Sequence, residues 1–136
     1  MRDFTIGQRA QLTKVVSAQD IAFFADFSGD HNPIHIDPEF AQKTRFKGVI
    51  AHGMIAAIMI SAVLGTELPG PGSVYLNQTL KFIAPVRPGD EITAEVLVKA
   101  WNPEKKIITL DTRCFNQLGK DVLVGEAILL VDELTG

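Results

Sequence analysis

The second half of the chain alternates between apolar and polar residues, a period of two that is typical of β-strands with one buried face. The alternation predicts four strands, over 73–83, 91–101, 108–115 and 122–131. Short sequences rich in Asn, Pro, Gly and Asp separate these strands, so they are expected to pair antiparallel in a meander. A weaker alternation over 8–16 predicts one further strand near the N-terminus.

Two helices are predicted from their start signals. Ser17 has Asp20 three residues later, the spacing of a capping box, and apolar residues then recur at helical spacing. This pattern predicts a helix over 18–28, which Gly29 ends because glycine readily takes a left-handed conformation. The sequence Asp37-Pro38-Glu39 supplies a cap, a first-turn proline and an acid, and predicts a second, short helix.

A third helix is expected over Met54–Leu64, which is apolar on all sides. Such a helix has no polar face for solvent, so it is predicted to be buried all round and to end at Gly65. It falls well short of the roughly 20 residues needed to span a bilayer, so no membrane segment is expected. An antiparallel sheet with one such helix lying on it is an α+β arrangement.

Composition and charge narrow the class of protein. The 136 residues, 46% hydrophobic and 21% charged, fit one folded domain over 1–136. The net charge of −3 argues against nucleic-acid binding, which needs a basic surface. The single cysteine, Cys114, excludes a disulfide framework and a Cys-rich zinc site, and is expected to be packed. The N-terminal residues lack the apolar run of a secretory signal, so a cytoplasmic location is expected.

A small basic cluster consists of Lys43, Arg45 and Lys47. In most proteins such a cluster is a solvated surface. The alternative is contact with the phosphates of an anionic ligand, which suits a chain whose net charge is otherwise negative. The sequence leaves both interpretations open.

The densest chemistry lies between the first two predicted helices. There, six successive positions carry the carboxylate of Asp30, the amide of Asn32 and the imidazole of His35. Pro33 disfavours helix at the residue before it, so the segment is expected to be irregular, as binding and catalytic segments often are. Taken singly, each of these residues is more often a turn former or a packed side chain.

A second candidate lies at the start of the central helix, in the sequence Ala51-His52-Gly53-Met54. The first N–H groups of a helix have no partner within it and carry the positive end of its dipole. A glycine there lets a ligand oxygen approach the backbone closely. Gly53 is therefore a candidate donor of an oxyanion hole.

Residues 27–41 read Phe-Ser-Gly-Asp-x-Asn-Pro-Ile-His-x5-Ala and resemble the signature of the MaoC-like (R)-specific enoyl-CoA hydratases. The His-Gly-Met helix start and the four-strand tail follow in matching order, so the resemblance covers essentially the whole chain. It implies a hot-dog fold, in which a curled antiparallel sheet wraps a central apolar helix, and a homodimer with active sites at or beside its interface. The resemblance is strongest to single-domain bacterial enzymes that supply (R)-3-hydroxyacyl-CoA for polyhydroxyalkanoate synthesis.

The resemblance also implies a lyase reaction, the reversible addition of water to trans-2-enoyl-CoA. The CoA thioester is the substrate, and neither a cofactor nor a metal is expected. Asp30 is the implied general base, His35 holds the water and carries the proton, and the Gly53 N–H stabilises the oxyanion. Asn32 is expected to orient the segment or the water. Ser61 either supports the site from the central helix or hydrogen-bonds to the carbonyl four residues earlier.

Other interpretations stay open. A hot-dog thioesterase would act on similar thioesters, but those enzymes generally use a carboxylate on or near the central helix, and 54–64 contains none. A dehydratase for acyl-carrier-protein substrates shares the lyase chemistry and differs in its pantetheine-binding surface. A non-catalytic acyl-CoA-binding protein would not need both Asp30 and His35. Of the remaining histidines, His31 is expected to be exposed and His52 to be structural. The sequence does not determine the acyl-chain length.

Overall fold

The structure of the chain, a computed structural model, describes residues 2–132. Most predicted elements are confirmed, with boundaries that differ by one or two residues. The elements in chain order are β1 (Arg9–Val15), α1 (Ala18–Ser28), α2 (Pro33–Ile36), α3 (Pro38–Gln42), α4 (Gly53–Thr66), β2 (Ser73–Gln78), β3 (Lys81–Phe82), β4 (Glu91–Asn102), β5 (Ile107–Phe115) and β6 (Asp121–Val131).

The strands form an antiparallel sheet in the order β1-β4-β5-β6-β2, and β3 pairs with β6 beside β2. The helix α4 packs against this sheet, and the core lies between them. Ile60 and Val63 of α4 are 0% exposed, as are Ile92 and Val96 of β4. This is the α+β arrangement that the pattern of apolar residues predicts. Among residues 2–132, no helix is long and apolar enough to span a membrane.

The helix starts follow local capping chemistry. Ser17 and Asp20 form the predicted capping box, and Gly29 ends α1 with a left-handed φ of 84°. The sequence prediction missed α2. Its start, Asn32-Pro33, has the same combination of capping residue and first-turn proline as Asp37-Pro38. The side-chain oxygen of Asn32 caps α2, and Pro33 is its first residue. The chain before α3 is therefore helical where an irregular segment was expected.

The prediction of one strand over 73–83 is wrong, because the chain breaks into β2 and β3. The register against β6 shifts between Tyr75 and Asn77. The backbone then passes so close to Gly125 that a Cβ there would lie 1.9 Å from the carbonyl oxygen of Thr79. Only glycine fits this crossing, which separates the two short strands.

The prediction that α4 is buried on all sides is also wrong for one stripe. Met54 is 47% exposed and Ile58 is 53% exposed, although both are apolar. The helix also continues through Gly65 to Thr66. The opposite side is buried as expected, and there the thiol of Cys114 donates to the carbonyl of Ala56 at 3.3 Å. The chain thus leaves an apolar helix stripe uncovered.

Candidate active site

Two side chains from the segment after α1 meet a third side chain from the start of α4. The carboxylate of Asp30 and one ring nitrogen each of His35 and His52 all lie within 4.8 Å of one another. We call these three residues the site cluster. The first two are the predicted acid–base pair, whereas the third was predicted to be structural.

The position of His35 is set by the cap of its own short helix and by one backbone carbonyl from a distant part of the chain. Asn32 accepts a hydrogen bond from the Ile34 N–H at 3.1 Å and so caps the turn that carries His35. The Nδ1 of His35 lies 2.7 Å from the carbonyl oxygen of Ile50. A carbonyl oxygen can only accept, so Nδ1 carries the proton and Nε2 presents a lone pair.

Asp30 lies in the short connection between α1 and α2 and is exposed. Its N–H donates to the hydroxyl of Ser28, and its Oδ1 accepts from the N–H of Asn32, both at 3.1 Å. These local bonds fix the direction of the side chain. Within residues 2–132 the second carboxylate oxygen has no hydrogen-bond partner, so it stays free to accept a proton.

His52 is only 3% exposed and lies immediately before α4. Its Nε2 lies 3.0 Å from the backbone carbonyl oxygen of Asp30, so this nitrogen donates. Its ring stacks on that of His35, with centroids 3.9 Å apart, and contacts Phe24 on the α1 side at 4.8 Å. Its Nδ1 is buried without a hydrogen-bond partner among the described residues. The only sequence signal for this role is its place beside Gly53.

The site cluster contains the donor types of a two-histidine, one-carboxylate metal site. The two imidazole planes, however, are inclined by only 30° and are stacked. Lone pairs lie in the ring planes, so stacked rings direct them side by side and not towards a common ion. The geometry therefore disfavours a metal, and the expectation of a metal-free site stays a prediction.

A cavity of about 490 Å³ opens beside the site cluster. His35 and Gly53 lie in its wall, and most of the other lining groups are apolar. The remaining lining residues are Phe46, Ile50, Ala51, Met54, Ala56, Phe82, Ile83, Ala84, Pro85, Val86, Val122 and Leu123. The cavity suits an extended apolar group whose polar end lies near His35.

Gly53 is the first residue of α4, and no side chain caps this helix start. A Cβ at this position would lie 2.8 Å from ring atoms of Phe82, which packs across the helix start. A side chain here would force the Phe82 ring or the helix start to shift, so packing favours glycine in addition to any role toward a ligand. The uncapped N–H groups and the positive dipole end are available to a developing negative charge beside the cavity.

The structure does not bring Ser61 to this place. Ser61 is exposed on α4 and lies two turns beyond Gly53, roughly 12 Å along the helix axis. Among the described residues its hydroxyl has no hydrogen-bond partner, so the alternative bond to the preceding turn is absent too. The exposed His31 pairs with Asp26 at 3.0 Å, outside the site cluster.

The predicted basic cluster consists of Lys43, Arg45 and Lys47. All three are exposed, and none of them forms an ion pair within residues 2–132. Arg45 and Lys47 flank Phe46, which lines the cavity. Both exposed cations are therefore next in sequence to a residue of the cavity wall, whereas Lys43 lies just after α3.

Known proteins are similar to this chain in sequence and in fold. The family described as "MaoC like domain" matches residues 4–114. An (R)-specific enoyl-CoA hydratase of Rhodospirillum rubrum is 54% identical over 95% of this chain and 89% of its own length. The solved structure of an (R)-hydratase from A. caviae involved in PHA biosynthesis aligns with a TM-score of 0.93 and 46% identity, covering 97% of this chain and all of that one. The predicted hot-dog fold is thus confirmed.

A further relative differs in its substrate carrier. A mitochondrial 3-hydroxyacyl-[acyl-carrier-protein] dehydratase of Arabidopsis thaliana is 36% identical over 95% of this chain and 78% of its own length.

Proposed function

Because this chain belongs to the MaoC-like domain family, we propose that it catalyses the reversible, (R)-specific hydration of trans-2-enoyl-CoA to (R)-3-hydroxyacyl-CoA. The observation that carries the proposal is the approach of the Asp30 carboxylate and a His35 ring nitrogen to within 4.8 Å beside an apolar cavity. One water with two hydrogen bonds of about 2.8 Å spans roughly 4.6 Å between its partners. The pair can therefore hold a single attacking water.

In the proposed mechanism, Asp30 accepts a proton from this water while the water oxygen forms a bond to C3. The C2–C3 π electrons move toward the thioester oxygen, which gains negative charge. The Nε2 lone pair of His35 holds the water, takes the proton over from Asp30 and delivers it to C2. The Asp30 carboxylate, the neutral imidazole and the thioester carbonyl are thereby restored, and the sum is the addition of one water. Positioned acid–base groups of this kind contribute about 10²–10⁴-fold.

The negative charge on the thioester oxygen needs donors at the opposite end of the reacting group. The Gly53 N–H is the proposed donor, since it begins α4 in the cavity wall. Donors of this type contribute about 2.7–4 kcal/mol where one has been removed. The acyl chain would extend along the apolar lining. Arg45 and Lys47 are proposed to contact CoA phosphates.

We propose a homodimer, in which a second copy covers the exposed stripe of α4. Met54 and Ile58 would otherwise leave large apolar side chains in water. Val74 and Leu76 of the edge strand β2 are each 53% exposed, so this strand also leaves large apolar side chains in water. Met54 also lines the cavity, so the interface would adjoin the active site.

The dimer proposal is tested by light scattering on the purified protein and on Ile58→Asp. A charge at this position should yield monomers, because it would be buried unpaired at the interface. Leu118→Asp is the matched control, since Leu118 is 83% exposed on the turn between β5 and β6. A monomeric wild type, or an Ile58→Asp variant that stays dimeric, contradicts the proposal.

A dehydratase acting on acyl-carrier-protein substrates is the second candidate, favoured by the Arabidopsis relative. It uses the same chemistry on the same pantetheine thioester. Equal activity with enoyl-CoA and with the enoyl carrier protein would leave both roles in place, and a strong preference decides between them.

The function is tested by the loss of enoyl-thioester absorbance on mixing the protein with crotonyl-CoA, with the product's stereochemistry determined. An (R) product with an intact thioester supports the hydratase, and release of free CoA would identify a thioesterase instead. We further propose a cytoplasmic location. The proposed use is the supply of (R)-3-hydroxyacyl-CoA for polyhydroxyalkanoate, in line with the involvement of the A. caviae (R)-hydratase in PHA biosynthesis.

A further inference from the structure

We infer that His52 is a positioning residue, which sets the Asp30 carboxylate at a fixed distance from the start of α4. The inference rests on the proposed hydratase function. It arises from the hydrogen bond between the His52 ring and the Asp30 carbonyl, because this bond joins the two ends of the reacting site.

The two ends of the site lie on separate elements of the chain. Asp30 follows α1, whereas Gly53 begins α4. The exposed connection around Asp30 is held mainly by short-range bonds within residues 28–34. The His52 bond, at 3.0 Å, links this connection to the residue that adjoins Gly53. The general base Asp30 and the oxyanion donor Gly53 are thereby both positioned by His52.

The same segment also orients His35. The Ile50 carbonyl accepts from His35 Nδ1 at 2.7 Å, and the His52 ring stacks on the His35 ring at 3.9 Å. One short run, 50–53, therefore contacts both members of the acid–base pair and contributes the oxyanion donor. Misplacement of reacting groups by about 1 Å can lower a rate by roughly 10²-fold, so such a common support has a direct effect on catalysis.

The unpaired Nδ1 of His52 indicates that this residue is not chosen for stability alone. A buried polar atom without a partner is destabilising, and an apolar ring of similar size would avoid it. The donor at Nε2 is the feature that an apolar ring would lose. The bond to Asp30 is therefore the interaction that explains a histidine here.

Two variants separate the donor from the ring. His52→Phe keeps an aromatic ring between His35 and Phe24 but removes the donor. His52→Gln loses the ring but can place an amide N–H near the position of Nε2. We expect kcat for crotonyl-CoA hydration to fall roughly 10²-fold in His52→Phe with KM within about threefold, and His52→Gln to stay within about tenfold of wild type.

A control variant measures the effect of lost packing. Val63→Ala removes buried volume from α4 away from the cavity and is expected to lower thermal stability without changing kcat. If His52→Phe retains wild-type kcat, or if both His52 variants fall equally, the hydrogen bond does not position Asp30 and the inference is overturned.

A spectroscopic measurement does not depend on activity. Long-range ¹H–¹⁵N spectra of the imidazoles should show His52 protonated at Nε2 and His35 protonated at Nδ1 in the wild-type protein. His52 protonated at Nδ1 would overturn the inference even in an active enzyme. A wild type with these tautomers but no hydratase activity would instead contradict the proposed function.

Discussion

The site cluster and a second polar cluster on the sheet both place a carboxylate beside nitrogen-bearing side chains. We call the second one, which consists of Gln11, Glu95 and Arg113, the sheet cluster. In the sheet cluster, Glu95 is 8% exposed and both of its carboxylate oxygens are paired. Gln11 donates at 2.5 Å to one oxygen, and Arg113 donates at 3.1 Å to the other.

The difference lies in what remains unpaired. In the sheet cluster Arg113 also donates to Asp121 at 3.0 Å, so its Nε and Nη1 have partners, as do both carboxylate oxygens of Glu95. In the site cluster, one carboxylate oxygen of Asp30 and the Nδ1 of His52 have no hydrogen-bond partner within residues 2–132. Groups with open positions can bind water and substrate, whereas matched groups hold strands together. Saturation of hydrogen bonds therefore distinguishes the two clusters better than residue type does.

Asp30→Asn tests the role of the free carboxylate oxygen in the site cluster. The amide keeps the size and local hydrogen-bonding ability of the side chain but cannot take a proton. We expect kcat to fall about 10²–10⁴-fold, because the general base is lost. Steady-state kinetics and urea unfolding on the same preparation check this, and a free energy of unfolding within about 0.5 kcal/mol of wild type is expected for this exposed site.

Gly53→Ala tests the helix start. The added methyl group would lie 2.8 Å from the Phe82 ring, so the ring or the helix start must shift. We expect kcat to fall roughly 10–100-fold, less than the 10²–10³-fold caused by removing an oxyanion donor. In a Phe82→Ala background the ring that causes the clash is gone. Adding Gly53→Ala to Phe82→Ala should therefore lower kcat less than adding it to the wild type. An equal loss in both backgrounds would show that the clash is not the cause.

Glu95→Gln tests the sheet cluster and should have the opposite profile. We expect the free energy of unfolding to fall by about 1–2 kcal/mol, because charge-assisted bonds to a partly exposed Arg113 are weakened. Hydration activity should stay within about twofold. Glu104→Gln, in the exposed turn after β4, is the control and should change neither quantity. A large loss of activity in Glu95→Gln would contradict the separation of the two clusters.

Glu95 should also make the free energy of unfolding depend on pH, although by less than the changes above. Burial raises the pKa of Glu95, but the bonds from Gln11 and Arg113 and the charges of Arg113 and Arg9 outweigh it, so its pKa lies below the usual 4.5. A carboxyl with a lowered folded-state pKa stabilises the fold above its unfolded pKa, and this contribution is lost as pH falls through the folded value.

The wild type should therefore lose more unfolding free energy than Glu95→Gln when the pH is lowered from about 5 to below the usual carboxyl value. Urea titrations at a series of pH values check this. Parallel curves for the two proteins would show that Glu95 contributes no pH dependence.

Much of the fold follows from local sequence. The period of two predicts β4, β5 and β6 within one or two residues, and the caps at Ser17 and Asp37 predict α1 and α3. These elements depend on backbone preferences and on side chains within a few residues, which a single sequence displays directly. The Asp30–His35 motif is visible for the same reason, since both residues lie on one short segment.

Contacts between distant residues were decided only by the tertiary structure. His52 joins the site cluster because α4 begins beside the connection after α1, a distance of 22 residues along the chain. The break between β2 and β3 depends on the close passage of Thr79 over Gly125, and the exposure of Met54 and Ile58 depends on which side of α4 packs against the sheet. Periodicity reports which faces are apolar, but only packing determines which of them a single chain can cover and which buried polar atoms keep a free position.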